Sequence, residues 1–255
     1  MRYGSFPLFN SKKVIAVGDI HGESDKILKL LEKIKGFLQD QDTHLVFCGD
    51  YCNKGKNTPE TLEILINLKK EYPNQVFFIE GNHETMLIQT LRGKQDWLHY
   101  TRDTLGQFIM HWTLEDGGLS TITKACDERG ITAFLNSLLP YYENDYLIAT
   151  HAPLDKTICY MHGLDTYKED LEDPKYCGVG GRYILDRMLF DLIWGFTFEE
   201  DNIPIEKIQV CGHQFKHHKQ PRLFKNRAFI DTGCGYGDKP LTAVEFPKKL
   251  VFQSL

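Results

Sequence analysis

Asp19 and His21 stand two residues apart at the end of an apolar run, in the string Val14-Ile15-Ala16-Val17-Gly18-Asp19-Ile20-His21-Gly22. In an extended chain, residues two apart point to the same side. One carboxylate and one imidazole can therefore be aimed at a single point just past the strand end, and the flanking glycines let the backbone turn there. The same grammar returns four times. Gly49-Asp50 follows residues 43–48, Glu80-Gly81-Asn82-His83-Glu84 follows 76–79, Thr150-His151 follows 146–149, and Gly212-His213 follows 208–211. A single Asp or His at a strand end is most simply a turn residue. Repetition at five strand ends makes a constellation.

Carboxylates, imidazoles and one amide oxygen suit Mn, Fe or Zn better than a soft thiolate site does. Two hard divalent ions about 3.5–4 Å apart need a shared ligand, and Asp50, a carboxylate on a central strand, is the natural bridge. Such a pair can hold a hydroxide and polarise a phosphoryl oxygen, which permits in-line attack without a covalent enzyme intermediate.

The elements that must position these groups alternate. Between the strands at 14–17, 43–48 and 76–79, Ile27, Leu28, Leu30, Leu31, Ile34 and Leu38 recur at helical spacing, and so do Leu62, Leu65, Ile66 and Leu68. Strand, glycine turn and helix in this order predict parallel βαβ units, whose ligands bind at the carboxyl ends of the strands. Residues 85–139 read as a mainly helical cap insertion, with Trp97, Phe108, Trp112 and Phe134 as its core. Residues 155–181 read as a charged, glycine-rich loop, 183–194 as an amphipathic helix, and 241–246 and 250–252 as closing strands. Ala228 to Ile230 lead into Asp231-Thr232-Gly233. His217 and His218 fit a solvated loop better than a further metal site, and Gly233, Gly235 and Gly237 fit a turn.

The 255 residues are read as one α/β domain, 1–255. A hydrophobic fraction of 42% supports a substantial core, and a net charge of −5 gives no electrostatic case for nucleic acid or anionic membrane as main partner. Seven cysteines, an odd number without CxxC pairs, read as reduced and mostly buried, so a cytoplasmic protein is expected. There is no long apolar segment and no hydrophobic signal core.

The strings GDIHG, GDYCNKG and GNHE, the His151 strand end and the Gly212-His213 pair resemble the metallophosphoesterases of the phosphoprotein phosphatase type. Trp112 ahead of Gly117-Gly118, Asp191-Leu192-Ile193-Trp194, and the stretch from IDTG to LTAVEF extend the resemblance toward bacterial and phage serine/threonine phosphatases. It spans about residues 14–246. The resemblance implies a central β-sandwich of two mixed sheets flanked by helices. It implies that Asp19, His21 and Asp50 hold one metal ion, that Asp50, Asn82, His151 and His213 hold the other, and that His83 is the general acid. The cofactors expected are two divalent ions, Mn²⁺ first, with Fe or Zn as the alternatives. The substrate expected is a phosphorylated protein or a small phosphorylated molecule, with no membrane and no nucleic acid beyond a nucleotide substrate.

The second motif departs from the family pattern. Asp-Arg-Gly is usual there, and Asn53-Lys54-Gly55 stands here. Asn53 can orient His83 by a hydrogen bond but lacks the charge that would keep the ring protonated, so activity is expected to fade at a lower pH on the basic side. Lys54 keeps the positive charge of the phosphate-gripping arginine without its two-pronged geometry. No Arg lies between Trp194 and Cys211, which leaves Arg182 and Arg187 as candidates for a second phosphate contact, with Asn82 and Lys54 beside them. The Asn-Lys pair is similar to the diadenosine-tetraphosphate-hydrolase-like branch, whose members cleave dinucleoside polyphosphates, polyphosphate or RNA caps. That branch usually has Pro where Lys56 stands. Serine/threonine phosphatase is the first expectation, this branch the second, and a scaffold on an inactive phosphatase fold the rival from outside enzymes.

Overall fold

Val14 and Ala16 face one way from the first strand, and Ile15 and Val17 face the other, yet all four are fully buried. A strand buried on both faces reads as a continuous apolar run, which explains the pattern at 14–17. The computed structural model describes residues 8–155, 192–197, 202–215 and 217–255. In it β1 (Lys13–Val17) pairs in parallel with β2 (Thr43–Phe47), and β2 in parallel with β3 (Val76–Phe78).

Ten strands in all make two five-stranded mixed sheets among the described residues. The second sheet is built from β4 (Tyr142–Glu143), β5 (Leu147–Thr150), β6 (Ile208–Cys211), β7 (Arg222–Leu223) and β8 (Arg227–Phe229), in the order β4-β5-β6-β8-β7. Its three central strands are parallel and its edges antiparallel. The first sheet is completed by β9 (Thr242–Phe246), antiparallel to β1, and β10 (Leu250–Gln253), giving β10-β9-β1-β2-β3. Val14, Ala16, Val46, Val244 and Phe246 of the first sheet meet Leu147, Ala149, Val210 and Ala228 of the second in one apolar layer. The two-sheet expectation therefore holds. β4 and β7, two residues each, were not legible from periodicity.

The other face of the first sheet, with Ile15, Val17, Leu45 and Phe47, packs against helices. Ile27, Leu30, Leu31 and Ile34 form the buried stripe of α1 (Ser24–Ile34) at i, i+3, i+4, i+7 spacing, and each such side chain contributes about 1.5–3 kcal/mol by leaving water. A 3₁₀ turn, Lys35–Gln39, follows and buries Leu38. The Asn57 side chain accepts from the Glu60 N–H at the start of α2 (Thr58–Glu71), with Pro59 in its first turn. Between β3 and β4 the chain is helical: α3 (Asn82–Leu91), α4 (Leu98–Trp112), α5 (Leu119–Glu128) and α6 (Ile131–Asn136). Phe108 and Phe134 are buried there as expected, Trp112 stacks on Phe108, and Trp97 stacks instead on Trp194. Of the expected helix at 183–194, Leu192, Ile193 and Trp194 are helical; the rest, and the loop from 156 onward, lie outside the described residues. No helix among the described residues is long and apolar enough to cross a membrane.

Candidate metal centre

The carboxyl ends of β1, β2, β3, β5 and β6 meet at one rim of the sandwich. Asp50 Oδ1 lies 3.3 Å from His151 Nε2, and its Oδ2 lies 3.6 Å from His21 Nε2 and 3.8 Å from His83 Nε2. Asp19 Oδ2 is 3.9 Å from His21 Nε2, and both Asp19 oxygens accept from the His213 N–H at 3.0 Å. The ligand atoms fall into two groups, His21–Asp50–His83 and Asp50–His151–His213, each within 4.8 Å of one another. Asp50 belongs to both. All six residues expected as ligands, and His83 with them, are thus brought together.

The histidines are turned as metal ligands are turned. His151 Nδ1 donates to the Cys48 carbonyl at 2.7 Å and His21 Nδ1 to the Cys52 carbonyl at 3.2 Å, so each Nε2 presents a lone pair to the centre. His151 Nε2 then faces Asn82 Oδ1 at 3.0 Å and His213 Nδ1 at 3.1 Å. Asn82 Oδ1 faces only acceptors in this orientation, and without a cation the opposite amide orientation would be favoured, so this donor set fits a metal pair. Burial pushes His21 down to about 3, and burial followed by His151 pushes His213 down to about 3, which keeps both imidazoles neutral. Burial, then Asp231 and Asp50, push Asp19 well above the usual carboxylate range. Burial opposes ionisation of Asp50 too, but His151, His83 and His21 outweigh it and hold that carboxyl low.

Tight turns deliver these side chains. Gly49 has φ +95°, and a Cβ there would stand 2.6 Å from His151 Nδ1. A Cβ on Gly212 would stand 2.1 Å from Asp19 Oδ1. Of eight non-glycine residues with positive φ among those described, five are candidate site residues: His21, Asp50, Asn53, Lys54 and His213. Such left-handed backbone persists only where the surroundings hold it. Part of the hold is Glu84, fully buried in the first turn of α3. Its carboxylate accepts from the N–H groups of Asp50 and Tyr51 at 2.8 Å and of Gly81 and Cys52 at 3.2 Å. Burial, followed by Asp50, pushes its carboxyl up to about 8. The His83 N–H, at the N-terminus of α3, donates to Asp50 Oδ1 at 3.1 Å.

Asn53 and Lys54 flank the centre. Asn53 Nδ2 is 2.7 Å from His83 Nδ1, and burial, opposed by Asp50, pushes the His83 ring below its usual range. Lys54 is exposed at the mouth, with its ammonium 2.9 Å from His21 Nε2 and 4.9 Å from the centroid of Tyr236. Arg182 and Arg187 lie outside the described residues. His217 and His218 are exposed. The sequence reading assigned no role to Glu84 or to Asp231, which is buried after β8 and is pushed up to about 6 by burial. Asp231 carries the same strand-end signal as the others; the signal of Glu84 was its place in GNHE.

This arrangement has counterparts. Across residues 12–215 the chain matches the calcineurin-like phosphoesterase family. The serine/threonine-protein phosphatase PP2A-like PPG1 of Saccharomyces cerevisiae is 26% identical over 203 residues, which cover 80% of this chain and 47% of that protein. The chain therefore spans about half the length of that relative. Among solved structures, the cold-active protein-tyrosine phosphatase of a psychrophilic Shewanella superposes with a TM-score of 0.60 at 19% identity, covering 99% of this chain and 83% of the other. A candidate diadenosine tetraphosphatase superposes with a TM-score of 0.58 at 17% identity, covering 98% and 96%. These two share the fold. With the motif-bearing strand ends inside the matched segment and their side chains gathered at one rim, the chain belongs to the calcineurin-like phosphoesterase family.

Proposed function

We propose that this chain is a dinuclear-metal phosphomonoesterase acting on phosphoserine and phosphothreonine, with the helices between β3 and β4 as a cap on a single catalytic domain. The observation that carries the reading is Asp50, whose two oxygens face separate groups of imidazoles and can serve two cations at once. Asp19, His21 and Asp50 would hold one ion, and Asp50, Asn82, His151 and His213 the other; Mn²⁺ suits this mixed oxygen and nitrogen set. When bound, two such ions supply an acidified water for attack and positive charge against the phosphoryl oxygens. His83 stands at the edge of the centre with Nε2 facing inward, where it can give a proton to the leaving oxygen. Lys54 offers a fixed ammonium to a phosphate at the mouth. The similarity to a yeast serine/threonine phosphatase supports the substrate class.

A second reading, hydrolysis of a dinucleoside polyphosphate, is favoured by Asn53-Lys54 in place of the usual Asp-Arg. The test is hydrolysis by metal-stripped protein reloaded with Mn²⁺, on a phosphoserine peptide and on diadenosine tetraphosphate in parallel. Phosphate release from the peptide alone supports the first reading. Preference for the dinucleotide replaces it with the second, and turnover of neither contradicts both.

A further inference from the structure

We propose that the cap helix α4 is a positioning element for His83, and that Thr104 acts on the ring through the Asn53 amide. The inference rests on the reading of His83 as proton donor. Thr104 is fully buried, and its hydroxyl donates to Asn53 Oδ1, which turns Asn53 Nδ2 toward His83 Nδ1 at 2.7 Å. A helical threonine ordinarily bonds the carbonyl one turn back. Thr90 does so to Met86 at 2.9 Å, and Thr101 does so to Trp97 at 3.3 Å. Thr104 reaches across to the loop instead.

A second contact from the same helix face points the same way. Gln107, one turn on from Thr104, donates to the Gly55 carbonyl at 2.8 Å and accepts from the Thr58 N–H at 2.7 Å. Asn53 and Lys54 both have left-handed backbone, with φ of 66° and 68°, so a loop of this kind needs an outside hold. Meanwhile Thr101 meets Thr90 of α3 at 3.0 Å, hydroxyl to hydroxyl. One helix thus ties the loop that carries Asn53 to the helix that carries His83. A hydroxyl can donate or accept. Thr104 can therefore hold the amide in reach of Nδ1 both when that nitrogen accepts and when it bears a proton.

The test separates orientation of the ring from general stability. Proton donation matters most for a poor leaving group, so a phosphoserine peptide is compared with p-nitrophenyl phosphate. Thr104→Val should lower kcat about tenfold on the peptide and less than about threefold on the nitrophenyl ester, with metal content unchanged. Thr104→Ser should stay within about twofold of the parent. In a double-mutant cycle, Thr104→Val should cost nothing further once Asn53→Ala is present. Independently of turnover, the ¹⁵N signals of the His83 ring in metal-free protein should move toward a mixture of tautomers in Thr104→Val; Thr104→Ala serves in its place if the valine variant does not fold. Equal losses on both substrates, additive losses in the cycle or an unmoved ring signal would overturn the proposal. If the parent protein hydrolyses neither substrate, the catalytic reading fails, and the ring signal alone decides the role of Thr104.

Discussion

Two regions of this site are built differently: the strand-end centre and the loop at 53–58. In the centre, Asp19, Asp50, His151 and His213 follow directly on paired strands, and backbone groups of neighbouring strand ends hold them, as Cys48 holds His151. In the loop, Asn53, Lys54 and Gly55 pair with no strand; they are held by α4 and by rings at the edge of the centre. The difference teaches where variation is tolerated. The proposed metal ligation is bound to the register of two sheets, and a one-residue slip would turn each side chain away. The residues proposed to contact the leaving group and outer phosphate sit on a separately clamped loop, and there the chain departs from the Asp-Arg-Gly of the family pattern, while the positions proposed as ligands keep to it.

The comparison can be broken at several depths. Asp50→Asn strikes the centre and should lower Mn²⁺-dependent turnover by about three orders of magnitude or more, with loss of bound metal. Steady-state kinetics beside metal analysis checks this. His83→Ala should cost about 10²-fold on a phosphoserine peptide while metal content is retained; loss of metal would move His83 from the edge of the centre into the ligand set. Lys54→Met should raise KM about tenfold with kcat little changed, because one charge-assisted contact to phosphate is lost. The smallest expected effect is Glu84→Gln. It replaces one oxygen of a buried acceptor of four backbone N–H groups by an amide NH2 that cannot accept, and should cost about 1–3 kcal/mol in urea unfolding. An unchanged midpoint would show that the turn after β2 does not depend on it.

The strand-end groups proposed as ligands were legible because two signals coincide, an apolar run buried on both faces and a glycine turn with Asp, Asn or His beside it. β1, β2 and β3 were readable as short continuous apolar runs, and their helices from a period of about 3.6 residues. The pairing of β5 with β6 was not, since partners about 60 residues apart leave no local trace, and three-residue β8 is too short to show its pairing with β6. Glu84 was visible as a letter in GNHE, but three of its four partners are backbone N–H groups some thirty positions earlier. Thr104 and Gln107 look like ordinary polar positions on a helix; only the packed loop reveals what they touch. Asp231 could have been added to the set, because Ile230 precedes it as Val17 precedes Gly18-Asp19.

The central claim is that one carboxylate, Asp50, serves two cations. The direct measurement is calorimetric titration of metal-stripped protein with Mn²⁺, beside the Asp50→Asn variant, with bound metal counted after dialysis. The expected result is two ions per chain in the parent and loss of affinity at both sites in the variant. Failure of the parent to bind metal, or a variant that loses one site and keeps the other intact, would contradict it.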